Sequence, residues 1–72
     1  MTELGIYFTK RSINRSDVAR KTGINKTRMS DLSNNPRTKL RVRELYLIAL
    51  AIEADPSELF KEICKDYKLP KQ

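Results

Sequence analysis

Gly23, one of only two glycines in the 72-residue chain, interrupts a stretch that otherwise favours helix. A helix that ends at Thr22 can use this glycine to adopt the left-handed backbone conformation that commonly terminates helices. Two residues later, Asn25 is a preferred N-cap for a new helix, which would begin near Lys26. The stretch therefore predicts a helix-turn-helix at about residues 15–33, with the second helix leaving at a steep angle.

Three more helices are predicted, because apolar residues recur three or four positions apart in three other segments. These residues are Leu4, Tyr7 and Phe8 in the first helix; Leu45, Ile48, Ala49 and Ile52 in the fourth; and Leu59, Phe60, Ile63, Cys64 and Tyr67 in the fifth. No segment shows the sustained alternation of a strand. We therefore expect one compact all-α domain of five helices over residues 1–72, with a loose C-terminal end at residues 68–72.

Positive charge is concentrated in the middle of the chain. The net charge is +6 overall, but residues 10–43 hold eleven basic residues and only two acidic ones, which gives this segment +9. Solubility does not require such segregation, whereas binding a polyanion does. Nucleic acid is the favoured polyanion, and an acidic membrane surface is the weaker alternative.

Several functional classes are disfavoured by residues that the chain lacks. It has no histidine, no Gly-rich phosphate loop and no metal-ligand cluster, so we expect neither an enzyme nor a metal or other cofactor. The longest apolar run, residues 45–52, is too short to span a membrane. The single cysteine, Cys64, cannot form an internal disulfide, which favours a cytoplasmic location.

Two segments in the right order carry a family resemblance. In RSDVARKTGINKTRMSDL, the small Ala19 precedes the turn glycine Gly23 by four positions, and apolar residues stand at Val18, Ile24, Met29 and Leu32. The second segment is LYLIALAIEADPSELF. Together they resemble the Cro and phage-repressor (XRE) helix-turn-helix family over residues 4–63. The resemblance implies a lambda-repressor-like fold and a bacterial, phage or mobile-element transcription regulator that binds double-stranded DNA.

In that family the second helix of the motif lies in the major groove and its N-terminal residues meet base edges. Arg28 or Lys26 could bond guanine, the Thr27 methyl could contact thymine, and Asp31 could accept a hydrogen bond from cytosine. The alternative for Arg28 and Asp31 is a surface ion pair three residues apart. The expected base-reading residues are Lys26, Thr27, Arg28, Asp31 and Ser30.

Phosphate contacts are expected around this helix, at its flanks and in the following turn. The alternative is a basic, flexible loop without defined contacts. The residues assigned to phosphate are Arg15, Asn34, Asn35, Arg37, Lys39, Arg41 and Arg43.

The fourth helix carries two leucines, Leu47 and Leu50, outside the apolar face that the fold requires. Either the C-terminal residues cover them, or they form a two-fold interface together with Cys64 and Tyr67. We expect a homodimer, at least on DNA. An antitoxin-type interaction module whose main partner is a toxin is the alternative function.

Overall fold

The computed structural model describes residues 1–70, which form five α-helices and no strand. Their bounds are α1 Glu3–Lys10, α2 Arg15–Thr22, α3 Lys26–Asn34, α4 Val42–Ala51 and α5 Pro56–Ile63. The expected all-α fold with five helices is therefore confirmed. Of the loose end expected at residues 68–72, residues 68–70 are non-helical and exposed, and residues 71 and 72 lie outside the described residues. In the described part of the chain, no helix has the length and apolar character needed to cross a membrane.

Local features set both ends of α2 and the start of α3. The side chain of Asn14 accepts a hydrogen bond from the Asp17 N–H at 3.1 Å, which starts α2. Gly23 ends α2 with a φ of +79°, and Asn25 then accepts from the Arg28 N–H at 2.7 Å. Because the chain turns at Gly23 and is capped again at once, α3 follows α2 with only three residues between them.

The core is built from one apolar face of each helix. Its buried apolar residues are Leu4, Phe8, Val18, Ala19, Ile24, Met29, Leu32, Leu45, Ile48, Ala49 and Leu59. Leu4 and Phe8 of α1, together with the α2 residues, provide the surface on which α3 packs. The position of α3 is therefore fixed by contacts from sequence-distant helices as well as by the turn.

Two aromatic residues expected on the inner side of α5 do not lie there. Phe60 is 54% exposed and Tyr67 is 79% exposed. Leu59 occupies the buried position of α5, and the adjacent Phe60 points about 100° away around the helix. Tyr67 lies beyond the end of α5 at Ile63, so helical spacing does not determine its direction.

Candidate nucleic-acid interface

The outer face of α3 is polar and faces solvent. Met29, Leu32 and Ser33 are buried on the inner face, which packs on the core. Four of the residues predicted to read bases lie together on the exposed side, and they are Lys26, Thr27, Ser30 and Asp31. This face offers an ammonium group, two hydroxyls, a methyl group and a carboxylate to a partner.

The C-terminal end of α3 is attached to the start of α1. The Thr2 hydroxyl donates to the carbonyl oxygens of Leu32 and Ser33 at 2.6 and 2.9 Å, and the Thr2 N–H donates to Ser33 O at 3.0 Å. These bonds satisfy carbonyl groups that the end of a helix leaves without intrahelical partners. Gly5 packs so closely here that a Cβ atom on it would lie 2.0 Å from Ser33 O. The chain start thus holds one end of α3.

The N-terminal end of α3 is attached to α4 by a bidentate ion pair. Arg28 Nε and Nη2 donate to the Glu44 carboxylate, each at 2.9 Å, and Nη2 also donates to Lys39 O at 2.8 Å. Glu44 Oε1 accepts in addition from the Arg41 N–H at 2.9 Å, at the N-cap of α4. The surface pair between Arg28 and Asp31 that we considered from the sequence is not the one that forms, because Glu44 takes the guanidinium.

Burial and charge make this pair tight. The Glu44 side chain is only 7% exposed and that of Arg28 is 28% exposed. The hydrogen bonds from Arg28 lower the pKa of Glu44 below its usual value, aided by the Arg41 N–H and opposed by burial. The same pairing raises the pKa of Arg28. Glu44 is therefore charged near neutral pH, and a charge so little exposed depends on its partners.

We expect this carboxylate to make stability depend on pH. Because the pKa of Glu44 is lowered on folding, its contribution is present above the ordinary pKa of 4.5 and is lost as the pH falls through the folded-state pKa. Glu44→Gln should therefore reduce the free energy of unfolding at pH 7, on the order of 1 kcal/mol after allowance for solvent screening at the Arg28 side. Urea denaturation between pH 7 and pH 3 measures the difference.

The difference between the two proteins should shrink as the pH falls, because protonation of Glu44 removes the charge that distinguishes it from glutamine. Asp17→Asn is the control, since Asp17 pairs with Arg20 and Lys21 at the exposed surface and such pairs contribute little. A difference between wild type and Glu44→Gln that stays constant with pH would contradict the expectation.

The cations predicted to contact phosphate divide into two groups. Within residues 1–70, none of the four cations Arg37, Lys39, Arg41 and Arg43 forms a salt bridge, and all four are exposed. Arg15 instead bends back to α1, where Nη2 donates to Gly5 O at 3.3 Å and to the Thr9 hydroxyl at 3.2 Å. These exposed cations follow directly on α3 and continue into the start of α4. We call this stretch, residues 37–43, the basic segment.

Asn34 and Asn35, also assigned to phosphate, shape the end of α3. The Asn34 amide lies 3.4 Å from the Ser30 hydroxyl. The Asn35 side chain accepts from the Arg37 N–H at 3.0 Å, which folds the turn that leads into the basic segment. Both asparagines are exposed, so these contacts leave their remaining polar groups accessible.

Sequence reasoning missed the residues that hold α3 in place. Thr2 and Glu44 show no local pattern that predicts contacts with α3. Gly5 did carry a signal, because a glycine inside a helical pattern often marks a close backbone approach. The Arg28–Glu44 pair joins residues 16 positions apart, a separation that no local pattern reports.

The candidate dimer residues differ in their accessibility. Leu50 is 55% exposed, whereas Leu47 is half-buried. Cys64 is half-buried and Tyr67 is exposed. Within residues 1–70, no group of three or more His, Cys, Asp or Glu side chains could hold a metal ion.

Comparison with known proteins agrees with this geometry. The model of the Cro/C1-type HTH DNA-binding domain matches residues 3–65, which include all five helices. No curated protein and no solved structure matches the chain. The match covers most of the chain, and the chain therefore belongs to the Cro/C1-type helix-turn-helix DNA-binding domains, a family of DNA-binding modules rather than enzymes.

Proposed function

We propose that this protein is a cytoplasmic transcription regulator that binds a specific double-stranded DNA sequence with α3 in the major groove. The observation that carries the proposal is the solvent-facing polar side of α3 next to a segment of exposed cations without acidic partners in the described chain. A helix of this kind fits the major groove, where base edges present distinct patterns of donors and acceptors.

The roles within the interface follow from chemistry and accessibility. Lys26 can bond guanine, Thr27 can contact the thymine methyl group, and Asp31 can accept from cytosine. Ser30 lies on the same exposed side. An acidic group facing DNA is unfavourable unless it reads a base or orients a donor, so Asp31 would contribute selectivity rather than affinity.

The basic segment would supply affinity that does not depend on sequence. Phosphate binding releases counterions, so each contact steepens the dependence of affinity on salt. We assign this role to Arg37, Lys39, Arg41 and Arg43, with Asn34 and Asn35 as neutral donors. Arg15 contributes to phosphate binding only if its guanidinium leaves Gly5 O and Thr9 or uses its remaining donors.

Selection of bound duplexes from a random pool tests the proposal. We expect a consensus sequence to emerge, and a near-palindrome if the protein binds as a dimer. If the bound duplexes share no consensus sequence, the result would contradict sequence-specific recognition.

The selected duplex also allows the two kinds of contact to be separated. Lys26→Ala should weaken binding to it by about 10- to 100-fold and leave binding to unrelated DNA nearly unchanged. Arg43→Ala should weaken both similarly and reduce the salt slope by about one. Fluorescence anisotropy titrations at several salt concentrations measure these effects.

Lys61→Ala is the matched control, since Lys61 is also exposed but lies on α5, outside the basic segment. If Lys26→Ala and Arg43→Ala reduce affinity equally on every duplex, the division into base and phosphate contacts is wrong.

A further inference from the structure

The hydrogen bonds of Arg28 leave it poorly placed to read guanine. A guanidinium has five N–H donors, and here the Nε donor and both Nη2 donors have acceptors in Glu44 and Lys39 O. Bidentate recognition uses one of two edges, Nε with Nη2 or Nη1 with Nη2, and both edges include Nη2. Reading guanine through Nε and Nη2 would require Arg28 to leave Glu44, and reading through Nη1 and Nη2 would require it to give up the bond to Lys39 O.

Departure of Arg28 would be costly because of where Glu44 lies. Its side chain is 7% exposed, and its one other hydrogen bond comes from the Arg41 N–H. Loss of the guanidinium would leave a nearly buried carboxylate with one backbone donor. The pair is therefore favoured to persist when the outer face of α3 meets DNA.

The same pair connects the elements that form the interface. Arg28 belongs to the first turn of α3, Lys39 to the basic segment and Arg41 to the start of α4. One carboxylate thus fixes the base-reading turn relative to the cations that follow it. This fixed arrangement matters because phosphate contacts from the basic segment set the position of the protein on the duplex, and α3 must meet the base edges in that same position.

We infer that Arg28 and Glu44 are positioning residues, which set the N-terminal turn of α3 against the basic segment so that base and phosphate contacts can form together. This inference rests on the proposed function. It replaces base reading by Arg28 with an indirect role, while Lys26, Thr27, Ser30 and Asp31 keep the direct one.

The substitution Glu44→Gln tests whether Glu44 positions α3 for DNA binding or instead keeps Arg28 away from DNA. If Glu44 positions α3, the variant should bind the selected duplex at least 10-fold more weakly, with less than about a 3-fold change on unrelated DNA. If Glu44 instead withholds Arg28 from DNA, the variant should bind more tightly. Affinities are compared at a temperature where circular dichroism shows both proteins folded.

Glu58→Gln is the matched control for the change in net charge, because Glu58 is exposed on α5 and makes no salt bridge within residues 1–70. Relative to this control, unchanged or increased affinity of Glu44→Gln would overturn the inference. Failure of the wild-type protein to select any consensus would instead overturn the proposed function.

A second measurement uses the wild-type protein and does not depend on the folding of a variant. The Arg28 Nε–H signal in ¹⁵N-correlated NMR spectra can be assigned through side-chain carbon correlations to the Arg28 backbone amide of the wild-type protein. We expect this signal to keep its chemical shift when the selected duplex is added, because the bond to Glu44 remains. A large shift together with new contacts to base protons would overturn the inference.

Discussion

Replacement of Gly5 by alanine should destabilise the fold by about 3 kcal/mol or more, the upper part of the range for overpacked sites. The new Cβ would lie 2.0 Å from the carbonyl oxygen of Ser33. That oxygen cannot retreat freely, because it accepts hydrogen bonds from both the hydroxyl and the N–H of Thr2. In a domain this small, such a loss corresponds to a fall in Tm of about 15 °C.

The direction of the effect is diagnostic. Alanine is about 1 kcal/mol better than glycine inside a helix, so helix propensity alone predicts that Gly5→Ala stabilises the protein. Gly23→Ala is the control, since Gly23 has nothing within 4 Å of a Cβ position and requires only a φ of +79°. It should cost about 1–2 kcal/mol. Thermal and urea denaturation measure both variants, and a Gly5→Ala protein as stable as wild type would exclude the close contact with α3.

Local sequence patterns were sufficient to predict the elements of this fold. Asn25 caps the helix that it was expected to start, and Gly23 adopts a positive φ. These features depend on residues within a few positions of one another, which is the range over which capping and helical spacing act. The structure accordingly places the turn of the helix-turn-helix at Gly23.

Contacts between distant residues could not be predicted in the same way. The bonds from Thr2 to Leu32 and Ser33 join positions about 30 residues apart, and they exist only because α1 packs against α3. Periodicity also overstated the inner face of α5, where both Leu59 and Phe60 were expected to be buried. Leu59 occupies the buried position, and Phe60 remains exposed.

For α3, sequence reasoning predicted which residues lie outside the core but not how they are bonded. Lys26, Thr27, Ser30 and Asp31 are exposed because the buried Met29 and Leu32 fix the rotation of α3. Arg28 lies at the edge of that face, where helical geometry alone does not decide between solvent and a neighbouring helix. The choice is made by Glu44, a residue of α4.

Part of the α4 surface is apolar and faces solvent. Val42, Tyr46 and Leu50 are all exposed and are spaced by four positions, so they form one stripe along the helix. Other residues of the chain partly cover Leu47, which is half-buried, but they leave Leu50 exposed. Leaving a leucine in water forgoes roughly 1.5–3 kcal/mol of burial free energy, which association with a second copy could recover.

We therefore predict that Leu50→Lys converts a dimer into a folded monomer and lowers affinity for the selected duplex by about 100-fold or more. The loss is large because two linked copies of α3 would bind successive major grooves about 34 Å apart, and that linkage adds a factor of about 10²–10⁴. The added lysine would by itself strengthen binding to DNA, so a loss cannot be attributed to its charge. Sedimentation equilibrium, circular dichroism and anisotropy titration give mass, folding and affinity.

Phe60→Lys provides the matched control, because Phe60 is exposed to nearly the same extent as Leu50 but lies on α5 and outside the predicted interface residues Leu47, Leu50, Cys64 and Tyr67. It should leave the mass unchanged and should not weaken binding to the selected duplex. A Leu50→Lys protein that remains dimeric and binds as wild type would show that the interface lies elsewhere. A wild-type protein that is monomeric both free and on DNA would leave the α4 stripe available to a different protein, as an antitoxin-type module requires, since Leu50 would then have no copy of itself to pack against.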